Sequence, residues 1–354
     1  KRVEFRRYEL FTPDADALVL EEGVTPAGQS LSQSKIEAEV KQYGAYVEVS
    51  DLLDLTGYDP VLGESTELLG EQLGTVVEWV TRDAMCAGTN VQYAGGKTNR
   101  LSLGADDRLT VTEIRKAVRS LKKAKARMFN ATSDGKSRKP HFVCICSPDA
   151  TYDLQSDALW QDVSKYSDVE QIYSGEIGRL FGVVFVESTE AKIFSQSVLT
   201  TVASHEAGSA VVTLNELTDA AALYLVSGAA VKIGSTEYTV ASCDKAAKTV
   251  TLSAAVSSAI AAGTVVFSED AGELDTATKK GMDVHATLVF GADAYGVIDV
   301  DGEGCLQTIV KPCGSGGAAD PLDQRATVGA KVAAYTAKIL NNLWIVRIEH
   351  GVSL

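Results

Sequence analysis

The alternation of apolar and charged residues at the start of the chain predicts a two-stranded arm that has no core of its own. Residues 2–10 and 36–49 both alternate with the period of two that is typical of half-buried strands. The pattern changes parity near Tyr8 and again near Tyr43, which indicates a bulge or a strand that passes between two environments. An isolated ribbon of this kind is marginal in water. It therefore packs either on its own domain or on a neighbouring copy of the chain.

Apolar residues at helical spacing predict a long helix after the arm. Asp59-Pro60 combines an acidic cap with a proline suited to the first turn, and Gly88 is a suitable end. A helix over about 60–87 would span roughly 40 Å at 1.5 Å per residue, long enough to act as a spine. We expect its apolar stripe to face the strands near 343–348. The residues of that stripe are Leu69, Leu73, Val76 and Val80.

The following segment predicts helices that alternate with strands. Thr110 and Glu113 form a capping-box signature, and the helix after it has one apolar face. Its other face is basic and is either solvated or bound to a partner. A short strand at 142–146, a helix from Ser147-Pro148 to about Tyr166 and a strand at 183–186 come next. The basic residues are Arg115, Lys116, Arg119, Lys122, Lys123, Lys125 and Arg127.

Residues 201–272 change in style and predict a small all-β domain. Ala, Val, Thr, Ser and Gly dominate this segment, and glycines separate its short apolar runs. Removing it would leave every neighbouring element intact, which is typical of an inserted domain. The predicted strands are 211–214, 223–226, 230–233, 237–242, 249–252 and 264–267. Beyond the insert we expect strands at 284–290, 296–300 and 306–310, and a strand-like tail over 328–348 with Asn341-Asn342 as its hairpin turn.

Charge and cysteine content narrow the range of functions. The formal net charge of −14 argues against a surface that grips nucleic acid, although it does not prevent the protein from enclosing nucleic acid. No apolar run approaches the length that crosses a membrane. The six cysteines are scattered along a chain of 354 residues, so we expect reduced thiols and not a disulfide framework.

The sequence is poor in candidate chemistry. The glycine-rich segment 314–317 surrounds Ser315 without a recognisable partner histidine, so a flexible loop is the better interpretation. Residues 299–303 resemble part of a calcium loop but lack its remaining ligands, which favours a hairpin turn. Cys144 and Cys146 share one face of an apolar strand and predict buried thiols. We therefore expect no catalytic residues, no metal and no cofactor.

The order of these elements resembles that of tailed-bacteriophage major capsid proteins with the Hong Kong 97-type fold. That fold has an extended loop (E-loop), a long spine helix, an axial domain and a return to a peripheral domain. The local sequence is most similar to the major capsid family typified by coliphage N-four. The resemblance covers nearly the whole chain except 201–272. It rests on Phe5-Arg6-Arg7-Tyr8, Glu22-Gly23-Val24-Thr25-Pro26-Ala27-Gly28, Val40-Lys41-Gln42-Tyr43-Gly44, Ala87-Gly88-Thr89-Asn90, Gly175-Glu176-Ile177-Gly178-Arg179, Gly182, Val186-Glu187-Ser188, Phe290-Gly291-Ala292-Asp293-Ala294-Tyr295-Gly296, Gly316-Gly317, Asp320-Pro321-Leu322, Gln324-Arg325 and Arg347-Ile348-Glu349-His350.

The resemblance implies an α+β fold of the Hong Kong 97 type with an inserted all-β domain. Its parts would be an extended loop at 1–50, a peripheral domain at 51–104 and 313–354, an axial domain at 105–200 and 273–312, and the insert at 201–272. The insert is not part of the common family pattern, so the resemblance assigns it no role.

The resemblance also implies a structural protein without catalysis or cofactor. Such a protein self-assembles into pentamers and hexamers that close into an icosahedral shell around double-stranded DNA, which it does not bind sequence-specifically. It would be assembled in the bacterial host cytoplasm and found in the virion, with portal, scaffolding and decoration proteins as possible partners and no membrane. The alternative is an encapsulin-type nanocompartment shell, which shares the fold but encloses protein cargo.

We expect the arm to contact other subunits more than its own. Its strands carry aromatic residues and charges of both signs that can pair across an interface. The candidate contact residues are Phe5, Arg6, Arg7, Tyr8, Glu37, Glu39, Lys41 and Tyr43.

Overall fold

The structure is a computed structural model of the 354-residue chain. It describes residues 1–9, 11, 18–20, 22–23, 28–56, 58, 60–130, 132–133, 136–137, 140–164, 176–195, 200–217, 221–222, 225–268, 270–273, 281–299, 306–315, 322 and 324–353. Asp59, the predicted helix cap, and residues 301–303 of the predicted turn lie outside these ranges.

The described residues form helices and strands in an interleaved order. The helices are α1 Asp51–Thr56, α2 Val61–Cys86, α3 Val111–Lys123, α4 Pro148–Gln155 and α5 Ala158–Ser164. The strands are β1 Arg2–Tyr8, β2 Gln33–Glu39, β3 Lys41–Ser50, β4 Val91–Tyr93, β5 Thr132–Ser133, β6 Lys136–Ser137, β7 Phe142–Cys146, β8 Glu176–Leu180, β9 Val183–Glu187, β10 Ile193–Phe194, β11 Thr200–Val202, β12 Val211–Thr213, β13 Ala230–Ile233, β14 Thr236–Asp244, β15 Thr249–Leu252, β16 Thr264–Ser268, β17 Val284–Phe290, β18 Tyr295–Asp299, β19 Leu306–Lys311, β20 Arg325–Ile339 and β21 Ile345–His350.

The chain divides into two compact units, each built from separated segments. Unit 1 comprises Lys1–Met85 and Asp293–Asn341, and unit 2 comprises Cys86–Ala292 and Asn342–Leu354. Each unit has its own hydrophobic cluster.

Unit 1 is organised by the long strand β20. This strand pairs antiparallel with β18 and β19, and also with β3. Leu69 and Leu73 of α2 pack on β20 in a cluster with Val328, Val332 and Tyr335. The predicted long helix is therefore present as α2. Its expected partner near 343–348 was wrong, because that segment forms β21 in unit 2.

The arm extends from this sheet as a separate two-stranded ribbon. β1 and β2 pair antiparallel from Arg2 opposite Glu39 to Tyr8 opposite Gln33. β2 ends at Glu39, and β3 begins at Lys41 on the edge of β20. The predicted change of environment within residues 36–49 is confirmed at this break.

Unit 2 contains a mixed sheet with strand order β4-β21-β17-β7-β9-β8, and β10 pairs with β17. Every residue of β17 is buried, which is typical of a central strand covered on both faces. Helices α3 and α4 pack on this sheet through Ile114, Leu121 and Leu154. The predicted buried thiols Cys144 and Cys146 lie in the same cluster and are fully buried.

Local capping chemistry determines where the unit 2 helices begin. The Thr110 hydroxyl accepts from the Glu113 amide at 3.4 Å and caps α3. The Ser147 hydroxyl accepts from the Ala150 amide at 3.3 Å and caps α4. The single helix predicted from Ser147 to about Tyr166 was wrong, because Ser156 and Asp157 separate α4 from α5.

Residues 200–268 form a separate antiparallel sheet within unit 2, with strand order β11-β16-β13-β14-β15-β12. Its core includes Val212, Leu225, Val231, Val250 and Val266, and it is distinct from the cluster beneath α3. The strands predicted at 211–214, 230–233, 237–242, 249–252 and 264–267 are confirmed within a residue or two at most ends. The strand predicted at 223–226 was wrong for Leu225 and Val226, and its other two residues lie outside the described ranges.

The predicted C-terminal hairpin was also wrong. β20 and β21 belong to different sheets, and Asn342–Trp344 between them is a 3-10 turn. β21 pairs antiparallel with β17 and parallel with β4. A strand pattern on both sides of two asparagines therefore did not indicate that the two strands pair with each other.

Candidate functional site

The base of the arm is anchored on unit 1 through one face of β1. The ring of Phe5 lies over Gly296, and a Cβ at position 296 would come within 2.7 Å of that ring. Glycine is required there because the ring and the backbone of β18 approach so closely. Arg7 donates to the Leu340 carbonyl at 3.2 Å and to the Glu9 carboxylate at 2.7 Å. Phe5 and Arg7 therefore already contact their own unit.

The second face of the arm points to solvent. In β1 the half-buried residues are Val3, Phe5 and Arg7, whereas Arg6 and Tyr8 are exposed. The predicted change of parity at Tyr8 was wrong, because Arg7 takes the place of an apolar residue on the inner face. An arginine can do so because its long aliphatic stem packs against apolar surface.

Charged residues on the exposed face pair within the ribbon. Arg2 and Glu37 approach to 3.1 Å, and Glu4 lies 3.5 Å from Lys35 and 3.9 Å from Arg6. Hydrogen bonds from Arg7 and Ser34 lower the pKa of Glu9. The Arg2–Glu37 and Glu4–Lys35 pairs each contribute only about 0–1 kcal/mol, so they fix register more than they stabilise the arm.

The remaining candidates line or border an open cleft of about 470 Å³ at the foot of the arm. Glu37, Glu39 and Lys41 are exposed there, next to Lys338 of β20. Tyr43 also lines the cleft, but it packs against the cluster formed by α2 and β20. The structure therefore brings Glu37, Glu39, Lys41 and Tyr43 together, and leaves the first three accessible.

The far end of the arm exposes large apolar side chains that sequence reasoning missed. Phe11 is 53% exposed, Leu20 71% and Leu31 66%. Tyr8, Leu18 and Val19 are exposed as well. The apolar run 18–20 amid polar residues was the available signal. Residues 18–20 are consecutive in sequence, and a cluster of exposed apolar residues is typical of a surface that binds another macromolecule.

A serine, a histidine and an aspartate in unit 2 lie in an order that resembles a catalytic triad. The Ser147 hydroxyl is 2.8 Å from Nδ1 of His285, and Nε2 of His285 is 4.0 Å from Asp149. Ser147 is buried and its oxygen caps α4, so the hydroxyl is not presented to a substrate. Burial lowers the pKa of His285. The arrangement joins α4 to β17 and is structural.

A buried ion pair links Arg100, in the segment that follows β4, to Glu349 of β21. Arg100 donates from Nε to one oxygen of Glu349 at 2.6 Å and from Nη2 to the other at 2.7 Å. The Arg100 guanidinium also contacts Asp270 at 2.8 Å and lies 3.6 Å from the centre of the Phe194 ring. Arg100, Glu349 and Asp270 each have a partner of opposite charge, so the cluster links Arg100 to β21 and leaves none of these three groups as an open ligand position.

Other candidate chemistry is sparse in the described part of the chain. Ser315 donates to the Pro312 carbonyl at 2.6 Å, while Gly316 and Gly317 lie outside the described ranges. Among the described residues, no group of three His, Cys, Asp or Glu side chains is placed to hold a metal ion. No described helix is long and apolar enough to cross a membrane.

Comparison with known proteins gives one family and many structural neighbours. A family model described as Phage capsid protein matches residues 81–284, more than half of the chain. A search of curated proteins by sequence gave no match.

Three solved structures illustrate the likeness of fold. The capsid of Ralstonia phage GP4 is 14% identical with a TM-score of 0.58, covering 99% of this chain and 83% of that one. The cyanophage Pam1 capsid asymmetric unit is 11% identical with a TM-score of 0.56, covering 99% and 85%. The head structure of Helicobacter pylori bacteriophage KHP40 is 10% identical with a TM-score of 0.58, covering 99% and 84%. The mixed α/β fold is therefore that of phage capsid structures.

Proposed function

The chain belongs to the phage capsid protein family, and from this premise we propose that it is the major capsid protein of a tailed bacteriophage. It self-assembles into pentamers and hexamers that close into an icosahedral shell around packaged double-stranded DNA. The protein is structural and not an enzyme. It resides in the virion capsid and assembles in the host cytoplasm, with portal, scaffolding and decoration proteins as further partners.

One observation carries the assembly step: the arm presents apolar side chains that its own unit leaves exposed. A two-stranded ribbon cannot shield Phe11, Leu20 and Leu31 by itself. Burying each such side chain on another subunit contributes about 1.5–3 kcal/mol. In a shell every subunit lies beside other copies of the same chain, and a neighbouring copy supplies that surface. The arm then serves as the extended loop that ties one subunit to the next.

The fold is of the Hong Kong 97 type in this proposal, with the N-four-type capsid proteins as the nearest family. The extended loop comprises 1–50, the peripheral domain 51–104 and 313–354, the axial domain 105–200 and 273–312, and the insert 201–272. Support comes from the order of elements, in which a ribbon precedes the long helix α2 and the mixed sheet of unit 2 follows it. The compact units divide the chain at different positions, after Met85, Ala292 and Asn341.

The sheet of residues 200–268 is an inserted domain that projects from the outside of the shell. Its separate core supports this proposal, and bulk on the inside would occupy the volume of the genome. We favour reinforcement of the capsomer over attachment to the host surface as its role.

Replacing exposed apolar side chains of the arm tests its role in assembly. Leu20→Ser combined with Leu31→Ser should reduce particle yield strongly, because each exposed anchor loses its burial on a neighbour. Circular dichroism should show an unchanged subunit, since neither side chain is buried in its own unit. Leu159→Ser combined with Ile193→Ser, in unit 2, removes exposed apolar side chains elsewhere and serves as the control. Normal yield from the arm variant would contradict the role given to the arm.

An encapsulin-type shell is the alternative, because it shares the fold but encloses protein. The nucleic-acid content of purified particles separates the two functions.

A further inference from the structure

Helix α3 exposes a basic face above its buried one. Arg115, Arg119, Lys122 and Lys123 are exposed, while Ile114, Val118 and other residues of the opposite face are buried in the unit 2 core. The four cations line a shallow groove of about 470 Å³ together with Val118 and Phe181. Phe181 is 47% exposed, and its ring lies 5.1 Å from the Arg115 guanidinium. The groove therefore combines positive charge with an exposed aromatic ring.

This positive charge has no counterpart in the described part of unit 2. Lys116, at the border of the face, pairs with Glu113 at 2.7 Å. No described carboxylate forms an ion pair with Arg115, Arg119 or Lys122. In a chain with a net charge of −14, such a concentration of cations is a selective surface for an anion.

Helix α2 of unit 1 exposes an acidic face with matching spacing. Glu64, Glu67 and Glu71 are exposed on the side of α2 opposite Leu69 and Leu73, which are buried. Along the helix axis, Glu71 and Glu67 are about 6 Å apart, and Glu67 and Glu64 are about 4.5 Å apart. Along the axis of α3, Arg115 and Arg119 are also about 6 Å apart, and Arg119 and Lys122 are about 4.5 Å apart. The two sets of charges therefore match when the helices run in opposite directions.

We propose that the basic face of α3 in one copy docks on the acidic face of α2 in a second copy, with the helices antiparallel. Arg115 then opposes Glu71, Arg119 opposes Glu67 and Lys122 opposes Glu64. Leu68, which is 64% exposed beside the acidic stripe, supplies an apolar counterpart for Phe181. The inference rests on the proposed function, because only an assembly of many copies brings these faces together.

The charges at this contact set the orientation and register of one copy against the next. Exposed ion pairs are individually weak, so the stripe contributes orientation and register more than affinity. Like charges placed opposite each other are strongly unfavourable, so the stripe also rejects wrong registers between copies. A contact between different faces of two identical subunits is heterologous, the type that generates closed rings such as capsomers. Double-stranded DNA is a less suitable occupant, since the strongly negative chain repels it.

A charge swap in the full-length protein tests this pairing. Arg119→Glu with Lys122→Glu should lower the yield of assembled particles about tenfold or more, because four carboxylates then face each other. Adding Glu64→Lys and Glu67→Lys to the same chain should restore the yield. Lys311→Glu with Lys331→Glu makes the same change of charge at exposed positions of β19 and β20, and should leave assembly unchanged. Circular dichroism of each variant confirms a folded subunit.

The outcomes are distinct. Normal assembly of the α3 variant with reduced DNA content would show that the face binds the genome, and would overturn the proposal. Normal assembly with normal DNA content would show a solvated face and would overturn it as well. A folded α3 variant that the swap fails to rescue would exclude α2 as the partner. Failure of the wild-type chain to form any particles would instead contradict the proposed function itself.

Discussion

His285 and His350 lie opposite each other on the adjacent strands β17 and β21, with ring centroids 6.1 Å apart and an angle of 29° between the rings. Both are buried in unit 2. His350 contacts the Thr287 hydroxyl at 2.9 Å through Nε2 and donates from Nδ1 to the Gly351 carbonyl at 2.8 Å. Burial lowers the pKa of both rings below the ordinary histidine value, so the pair is neutral at pH 7.

This pair predicts that acid destabilises unit 2. Burial lowers the pKa of His350 from 6.5 to about 4. Below pH 6.5 the unfolded chain takes up a proton that the folded chain does not accept until about pH 4. The stabilisation is therefore complete above pH 6.5 and is lost as the pH falls from 6.5 to 4, by on the order of 3 kcal/mol. Urea unfolding of the subunit at pH 7 and pH 5 should show about 2 kcal/mol of this loss.

The variant His350→Gln separates this contribution from general acid effects. It removes the titrating ring, so its unfolding free energy should change less between pH 7 and pH 5 than that of the wild type. Equal changes in the two proteins would show that another group controls the acid sensitivity.

The packing of α2 on β20 gives a second prediction. Leu73 is buried among Val328, Val332 and Tyr335, so Leu73→Ala should lower the free energy of unfolding by about 2–5 kcal/mol. Leu68→Ala removes the same atoms five residues earlier from an exposed position, and should change subunit stability by less than about 0.5 kcal/mol. Thermal unfolding of unassembled subunits compares the two. Equal losses would mean that the buried face of α2 is assigned wrongly.

The contact between Phe5 and Gly296 gives a third prediction, about the arm. Gly296→Ala places a methyl group within 2.7 Å of the Phe5 ring and 3.2 Å of Leu340, so the base of the arm must move. We expect faster proteolysis within residues 1–50. Gly74→Ala on α2, where no atom lies within 4 Å of the new Cβ, should leave the arm unchanged and stabilise the helix by about 0.5–1 kcal/mol.

Restoring space tests the same contact in reverse. Phe5→Ala combined with Gly296→Ala should lower the yield of assembled particles by less than the sum of the losses in the two single variants. The reason is that the ring that the new methyl group would meet is absent from the double variant. Strict additivity would show that the two residues act independently.

The separate core of residues 200–268 gives a fourth prediction. Residues 201–272 expressed alone should unfold in one cooperative thermal transition, because Val212, Val231, Val250 and Val266 pack in a cluster of their own. Circular dichroism and differential scanning calorimetry measure the transition. A spectrum typical of a disordered chain would refute the proposal that this segment is an inserted domain.

Local patterns in the sequence predicted most elements but not their partners. The caps at Thr110 and Ser147 and the extent of α2 follow from short-range chemistry, and the structure confirms them. The separation of β20 and β21 into different sheets depends on pairing with strands distant in sequence, which alternation does not encode. A period-two pattern specifies a face and not the strand that covers it.

The capsid function expected from the resemblance is confirmed by the family match. Mixed charge and aromatic residues predicted the arm as the contact surface, and its contacts with other subunits stay a prediction. Arg7 disrupted the alternation because an arginine occupies an inward position on β1. The exposed side chains of Leu18, Leu20 and Leu31 were missed because they lie between β1 and β2, where the sequence does not alternate regularly between apolar and polar residues.

The central claim is that this chain is the main component of a closed shell that encloses double-stranded DNA in the phage. Electron microscopy of particles from infected cells or lysates, combined with nuclease-protected nucleic-acid content, tests it most directly. We expect uniform icosahedral particles, made mainly of this chain, that release double-stranded DNA when disrupted. Particles of the same outline that contain protein cargo and no DNA would contradict the capsid function in favour of a nanocompartment, and a protein that remains monomeric would contradict assembly altogether.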